Sequence, residues 1–542
     1  MPKILAGLVL SGLTLFAAGA AAAGVLPARV DDAVKARIAA GQYPALVIAY
    51  VDHGRTQVAA YGTLGGGKAP DGDTVFEIGS ITKTFTATIL ADAVTRGTLG
   101  LDAKVATLLP DFTIPTRGGK AITLADIATQ HSGLPRLPDN FNPADPKNPY
   151  ADYGAAQLKA FLASYALPRD PGASYEYSNL AFGLLGYALA QNAHADYRTL
   201  LRQVVLGPLG MRDTDTETSA AQAARMAPGH DMRGEPQPNW DLSALAGAGA
   251  IRSTGNDMLR YLRANMGEAS PLSAAMTLAH AARTDGPPGE RIGLAWMTRT
   301  TGAGPVVWHN GMTGGYAGVI AFTADGTRGI VVLTNMAVEV EDLAFAALDP
   351  SAPLAPAQKS ITLAPAELEQ YTGRYQLEPN FVLNVAPRDG QLFAQATGQG
   401  PFPLYPTARN EFVARVGGIS VSFTRDAQGR VAGLVLHQNG DRIAPRLPDP
   451  PVVTLDAATL AGYVGRYQFA PGRVFDVTVR DGGLFVQLTG QPALPVFPAA
   501  RDKFFYKVVD ATIDFERDAS GAVVAQILHQ NGRDVRAPRL AP

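Results

Sequence analysis

Apolar and polar positions follow two regimes along the chain, and the change between them divides it. Residues 45–61 (ALVIAYVDHGRTQVAAY) set apolar, β-branched runs on either side of Asp52-His53-Gly54-Arg55, which predicts a β-hairpin. A helix is expected from about Ser80 to Arg96, closed by Gly97. From about 100 to 245 the spacing is helical and loop-rich, punctuated by Pro and Gly. A helix near 255–266 follows, then strands near 291–299, 305–310, 317–323 and 329–335, then a helix near 338–348. Strands at both ends with a helical insertion between them predict an α/β fold: a sheet flanked by helices plus a helical subdomain, with a site between the two.

A Pro- and Ala-rich passage at 349–364 reads as a linker, and beyond it the chain repeats itself. Tyr371-Thr-Gly-Arg-Tyr375 recurs as Tyr463-Val-Gly-Arg-Tyr467, an offset of 92. Asp389-Gly390, Phe423 and Leu436-His437-Gln438-Asn439-Gly440 recur at the same offset, as a duplication without net insertion. Each copy consists of short β runs broken by Asp-Gly, Asn-Gly and Gln-Gly turns, the pattern of an antiparallel barrel or sandwich. His437 and His529 sit beside Asn-Gly turns without a second ligand at metal spacing, which favours hairpin scaffolding over a metal site. The expected organisation is a signal peptide at 1–23, a hydrolase domain at 24–348, a linker at 349–364, a barrel at 365–447, a linker at 448–456 and a second barrel at 457–542.

Composition narrows the function. The chain has 542 residues, 46% of them hydrophobic and 17% charged, a balance that supports buried cores. Lys plus Arg (46) nearly balance Asp plus Glu (48), with no basic block to follow a phosphate backbone, so nucleic acid is not the expected partner. With no Cys at all, disulfides, zinc thiolates and a cysteine nucleophile are excluded. Met1-Pro2-Lys3, the apolar run Ile4–Phe16 and small residues up to Ala23 predict a cleaved secretory signal, hence a periplasmic or secreted protein without a membrane span after cleavage.

Three short motifs carry chemistry. Ser80-Ile81-Thr82-Lys83 opens the first long helix, where the positive helix end favours developing negative charge at the serine. Lys83, three residues on, shares its face; desolvated, it would stay neutral and accept the serine proton. An N-capping serine with a solvated lysine fits the same letters. Tyr177-Ser178-Asn179 precedes an apolar helix: the phenol would relay a proton, and the amide would hold Lys83 and a substrate carbonyl, or the segment simply caps the helix. His309-Asn310-Gly311 ends a strand, where Gly311 would admit a substrate backbone and the amides of Ser80 and Met312 would form an oxyanion hole; an ordinary strand end reads the same way. His131-Ser132-Gly133 also fits H-x-G, but Leu134 and Pro135 place it in a loop, and it reads as structural.

Ser80-x-x-Lys83, Tyr177-x-Asn179 and His309-x-Gly311, in that order, resemble the serine β-lactamase and penicillin-binding-protein superfamily, in particular class C β-lactamases and the D-aminopeptidases and esterases of peptidase family S12. The resemblance covers about residues 28–348 and extends to Phe76-Glu77-Ile78-Gly79 and Ile251-Arg252-Ser253-Thr254. It implies an α/β sheet with a helical subdomain, an acyl-enzyme mechanism, no cofactor and no metal. The third motif departs from β-lactamases, which usually carry Lys-Thr-Gly; a histidine is mostly neutral at pH 7 and offers a substrate carboxylate no fixed cation. The H-x-G form and the downstream repeats are similar to the D-aminopeptidases and their tandem eight-stranded, lipocalin-like barrels.

The expected activity is therefore hydrolysis of amides or esters of small D-amino-acid compounds or peptides through a Ser80 acyl-enzyme. A class C-like β-lactamase or esterase is the alternative, and a penicillin-binding cell-wall sensor that acylates without turnover is the reading from outside the enzymes. The partner is a small-molecule or peptide substrate, and homo-oligomer formation is left open.

Overall fold

Strands from the two ends of the first region pair with one another, which makes the helical stretch between them an excursion from one sheet. The computed structural model describes residues 24–541 except 380, 389, 398, 415–417, 439, 449–450, 471–472, 490–492, 508–510 and 531–532. The expected signal peptide and the turn residues Asp389, Asn439, Asn531 and Gly532 lie outside the described residues. The sheet contains β1 (Ala45–Asp52), β2 (Arg55–Gly62), β3 (Thr284–Asp285), β4 (Glu290–Ile292), β5 (Met297–Thr301), β6 (Gly304–Met312), β7 (Ala317–Thr323) and β8 (Arg328–Thr334). Its order is β2-β1-β8-β7-β6-β5-β4-β3, antiparallel throughout.

The period of two in β1 explains its continuous apolar run. Val47, Ala49 and Val51 enter a core shared with α2 (Thr82–Thr95), α3 (Asn179–Asn192) and α4 (Gly255–Asn265), whereas Leu46, Ile48 and Tyr50 enter a second core under α1 (Ala28–Ala39) and α5 (Glu341–Leu348). A sheet covered on both faces has no polar face to present, so β1, β7 and β8 are buried almost end to end. The strand expected at 291–299 is two strands. Gly293 N donates to Trp296 O at 2.8 Å, and Ala295 takes φ 65°, a turn that delivers the Trp296 ring to the core.

The repeats form two eight-stranded antiparallel barrels, with strands from Gly373 to Pro445 and from Gly465 to Pro538. Each closes between its last strand and its first: Leu447 N donates to Arg374 O at 2.7 Å and Leu540 N to Arg466 O at 2.8 Å. The Tyr-x-Gly-Arg-Tyr motif has a packing cause. The Tyr375 and Tyr467 hydroxyls donate to the Tyr371 and Tyr463 carbonyls at 2.7 Å. A Cβ on Gly373 or Gly465 would stand 2.7 or 2.8 Å from the Nε of Arg446 or Arg539 on the closing segment.

The offset of 92 fails in the closing strand. Leu434 pairs with Ala444, but its counterpart Gln526 pairs with Ala537, an offset of 93. The duplication therefore carries one inserted residue, absorbed at the last turn, where a hairpin tolerates it. His437 and His529 contact Asp441 and Asp534 across that hairpin, each at 2.7 Å.

Barrel 1 touches the first region directly: the Tyr405 hydroxyl donates to the Met232 carbonyl. The linker is fastened to the same region, with Arg37 and Arg29 donating to the carbonyls of Ala355 and Ala352, each at 2.7 Å. Among the described residues, none of barrel 2 lines the cavity beside Ser80. A chain ending at Leu447 should therefore hydrolyse a small ester with kcat/KM within about twofold of the full chain, as a progress-curve assay would show; a large loss would place barrel 2 at the site. Among the described residues no helix is long and apolar enough to cross a membrane.

Candidate active site

The segment Gly79–Ile81 makes a tight 3-10 turn that runs directly into α2, so Ser80 stands at the amino end of a continuous helical rod. Lys83, one turn on, is fully buried, and its Nζ lies 2.8 Å from Ser80 Oγ. The same nitrogen reaches Asn179 Oδ1 at 2.9 Å and the Ala248 carbonyl at 2.7 Å. Burial holds the Lys83 pKa well below the usual lysine range, and the charge of Arg136 acts the same way. A neutral amine has two N–H groups and one lone pair. The two acceptors, Asn179 and Ala248, take the N–H groups, which leaves the lone pair for the Ser80 hydroxyl.

Tyr177 completes the cluster from the turn before α3. Its hydroxyl lies beside Ser80, and Lys83 Nζ lies 5.0 Å from its ring centre. Burial pushes the phenol pKa far up, so Tyr177 is a proton donor at rest. Ser178 caps α3 by accepting from Ala181 N at 2.9 Å, as the capping reading has it. The loop carrying His131 braces this turn: Glu176 N donates to Gln130 O at 2.8 Å, Ser178 Oγ to Pro135 O at 2.6 Å and Asn179 N to Arg136 O at 3.1 Å. His131 itself is buried, its Nδ1 2.7 Å from the Thr129 carbonyl.

His309 on β6 is 2% exposed, with its ring centre 6.5 Å from that of Tyr177. Nδ1 lies 2.5 Å from the Asn310 carbonyl, an acceptor, so Nδ1 carries the proton and Nε2 has a free lone pair. Burial pushes the ring pKa down to about 3. Beside the expected admission of substrate, Gly311 has a packing role: a Cβ there would stand 2.0 Å from Ile78 O and 2.9 Å from Ser80 N. The missing side chain lets the strand meet the turn that carries Ser80. Gly79 faces Met312 in the same way, at φ 51°, where a Cβ would lie 2.7 Å from Met312 N. The Ser80 and Met312 amides are thus brought to one spot.

Among the residues that frame the cavity at Ser80 and escaped the sequence are Tyr150, Trp240 and Ala248. The space is about 20 Å³, room for one water. Tyr150 and Trp240 stand with ring centres 5.2 Å apart. Trp240 is held at both ends of its peptide unit, its N–H donating to Glu77 Oε1 at 2.7 Å and its carbonyl accepting from Arg252 at 2.8 Å. Glu77 and Arg252 face each other across the antiparallel ribbon Val75–Glu77/Arg252–Thr254, both buried and 3.7 Å apart. The signal for Trp240 was a tryptophan in an otherwise polar loop; Ala248 lay in the small-residue run Ala246–Ala250, which packs on α3 with Gly247 against Gly186. Among the described residues, none of either barrel lines this cavity.

The buried histidines set an acid limit on the fold. Unfolded histidine takes its proton near 6.5, but folded His309 does so at about 3 and folded His280 at about 4. Their contribution is complete above 6.5 and is lost as pH falls through the window down to those folded values, because the unfolded chain then binds more protons. Tm should fall between pH 6.5 and 4, and less steeply in the double variant His280→Gln/His309→Gln. Equal slopes by calorimetry would contradict the buried neutral assignment.

Comparisons with known proteins identify the family of the chain. Residues 30–349 match the β-lactamase family profile, and residues 357–445 and 449–537 each match a domain family of unknown function, DUF3471. The chain belongs to the β-lactamase family of serine hydrolases. It is 29% identical over 257 residues to a β-lactamase of Psychrobacter immobilis, covering 45% of this chain and 58% of that one. To the D-alanyl-D-alanine-carboxypeptidase/endopeptidase AmpH of Escherichia coli K12 it is 28% identical over 221 residues, covering 40% and 56%. These matches span little more than half of each relative's length. A solved D-alanine carboxypeptidase of Burkholderia cenocepacia is 28% identical, with a TM-score of 0.51, covering 59% of this chain and 99% of that one.

Proposed function

We propose that this chain hydrolyses amide or ester bonds of small D-amino-acid compounds or peptides through an acyl-enzyme on Ser80. The observation that carries the reading is the Ser80–Lys83 contact of 2.8 Å, with the lysine buried and its two N–H groups committed elsewhere. Lys83 takes the proton of Ser80 Oγ as that oxygen bonds to the substrate carbonyl carbon. The carbonyl oxygen gathers negative charge opposite the Ser80 and Met312 amides, where a helix end and two N–H groups stabilise it. Tyr177 gives its proton to the leaving nitrogen or oxygen and recovers one from Lys83 through the Ser80 region. Water then attacks the ester at Ser80, with the proton transfers reversed, and releases the acid. Secretion through the apolar segment at 1–23 belongs to the same proposal, since D-peptides of the cell wall lie outside the cytoplasm.

Two observations pull the substrate in different directions. The named relatives favour a D-alanyl carboxypeptidase or β-lactamase type of substrate. The neutral His309 favours the D-aminopeptidase or esterase type, because it supplies no cation for a carboxylate. A panel of D- and L-aminoacyl amides, D-alanyl-D-alanine peptides, short esters and nitrocefin separates them. Stereospecific turnover of D-compounds above nitrocefin is expected. Turnover of nitrocefin alone would establish the β-lactamase reading, and a persisting acyl-enzyme without turnover would establish the sensor.

A further inference from the structure

A substrate carboxylate needs a cation, and the two basic side chains buried beside Ser80 do not provide one. Lys83 lends its lone pair to the serine, and His309 is neutral. One charge does reach the site from the rim. The Arg136 guanidinium carbon lies 5.1 Å from the Tyr177 ring centre. Its charge acts on Lys83, Tyr177, Tyr150 and Tyr175.

Arg136 is held in place by its backbone, not by its charge. Its carbonyl accepts from Asn179 N at 3.1 Å and Leu180 N at 3.3 Å, the first turn of α3, and the preceding carbonyl, Pro135 O, accepts from Ser178 Oγ. The residue therefore moves as one with the Tyr177 turn. The side chain is solvent-exposed, and among the described residues its guanidinium has no hydrogen-bond or ion-pair partner. A guanidinium without a partner keeps its N–H groups free for a planar anion.

We propose that Arg136 is the specificity-determining residue that receives a carboxylate on the leaving-group side of the substrate, taking the place left by the neutral His309. The inference rests on the Ser80 acyl-enzyme reading and adds to it a substrate class: acyl donors whose leaving group bears a carboxylate beside Tyr177. The position follows from Tyr177, whose hydroxyl lies beside Ser80 and whose ring meets Arg136.

The test uses the full chain and two esters of one N-acyl-D-alanine, with 3-carboxyphenol or 3-carbamoylphenol as leaving group. Arg136→Gln should lower kcat/KM for the carboxylate ester about tenfold, mainly through KM, and leave the carbamoyl ester within about threefold. Arg136→Lys should recover part of the loss, and raised salt should narrow the gap in the parent protein, since the contact is exposed. Equal losses on both esters would overturn the proposal and make Arg136 a support for Tyr177; no loss on either would overturn it as well. Hydrolysis that survives Ser80→Ala, or parent protein inactive on both esters, would instead contradict the nucleophile assignment on which it rests.

Discussion

Ser80→Ala is expected to lower hydrolysis of every substrate the protein accepts by at least ~10³-fold, because without Oγ there is no atom to carry the acyl group. The change removes one oxygen, and its two contacts, from a half-buried position at a helix end. Stability should move by no more than about 1 kcal/mol. Lys83 keeps Asn179 and Ala248 as partners, so the site holds its shape. Steady-state rates with a chromogenic ester, beside a thermal melt of both proteins, check this. A variant that stays folded and retains more than a tenth of the rate would exclude Ser80 as the nucleophile.

Replacement of Lys83 separates charge from proton acceptance. Lys83→Met keeps length and apolar fit but has no lone pair of comparable basicity, and acylation should fall at least ~100-fold. Lys83→Arg retains a positive charge, yet its guanidinium does not give up a proton, so it should be no more active than the Met variant. In the parent protein the sign with pH follows from the lowered lysine pKa. Acylation should be on its plateau at pH values where an ordinary lysine is still protonated, and should decline as acid protonates Nζ and removes the lone pair. Rescue by Lys83→Arg would mean that the lysine acts through its charge.

The residues legible in the sequence were those whose partners are fixed by local geometry. Ser80 and Lys83 face each other because three residues make nearly one helical turn, and Ser178 and Asn179 lie together because a helix begins there. Strand periodicity gave β1, β2 and the sheet beyond residue 304, while the break at Gly293 was hidden in a run that stays apolar through a turn. The inserted residue in the second barrel was hidden because every motif used to measure the offset ends at or before the Asn-Gly of the last turn.

What sequence spacing does not encode is which distant segments meet. Ala248 contributes a carbonyl, for which its side chain gives no clue, and it reaches Lys83 only because the small residues 246–250 pack closely on α3. Trp240 depends on Glu77 and Arg252, two residues brought face to face by strand pairing across most of the domain. Gly311 was read as a place of close approach to substrate; its close approach to the chain's own Ile78 and Ser80 was not legible.

The nucleophile assignment is tested most directly by trapping. The protein incubated with benzylpenicillin or a slowly deacylating ester, quenched in acid and digested, should yield one peptide heavier by the acyl group, with fragment ions placing the mass on Ser80. An adduct on any other residue, or one formed equally well by Ser80→Ala, would contradict the account.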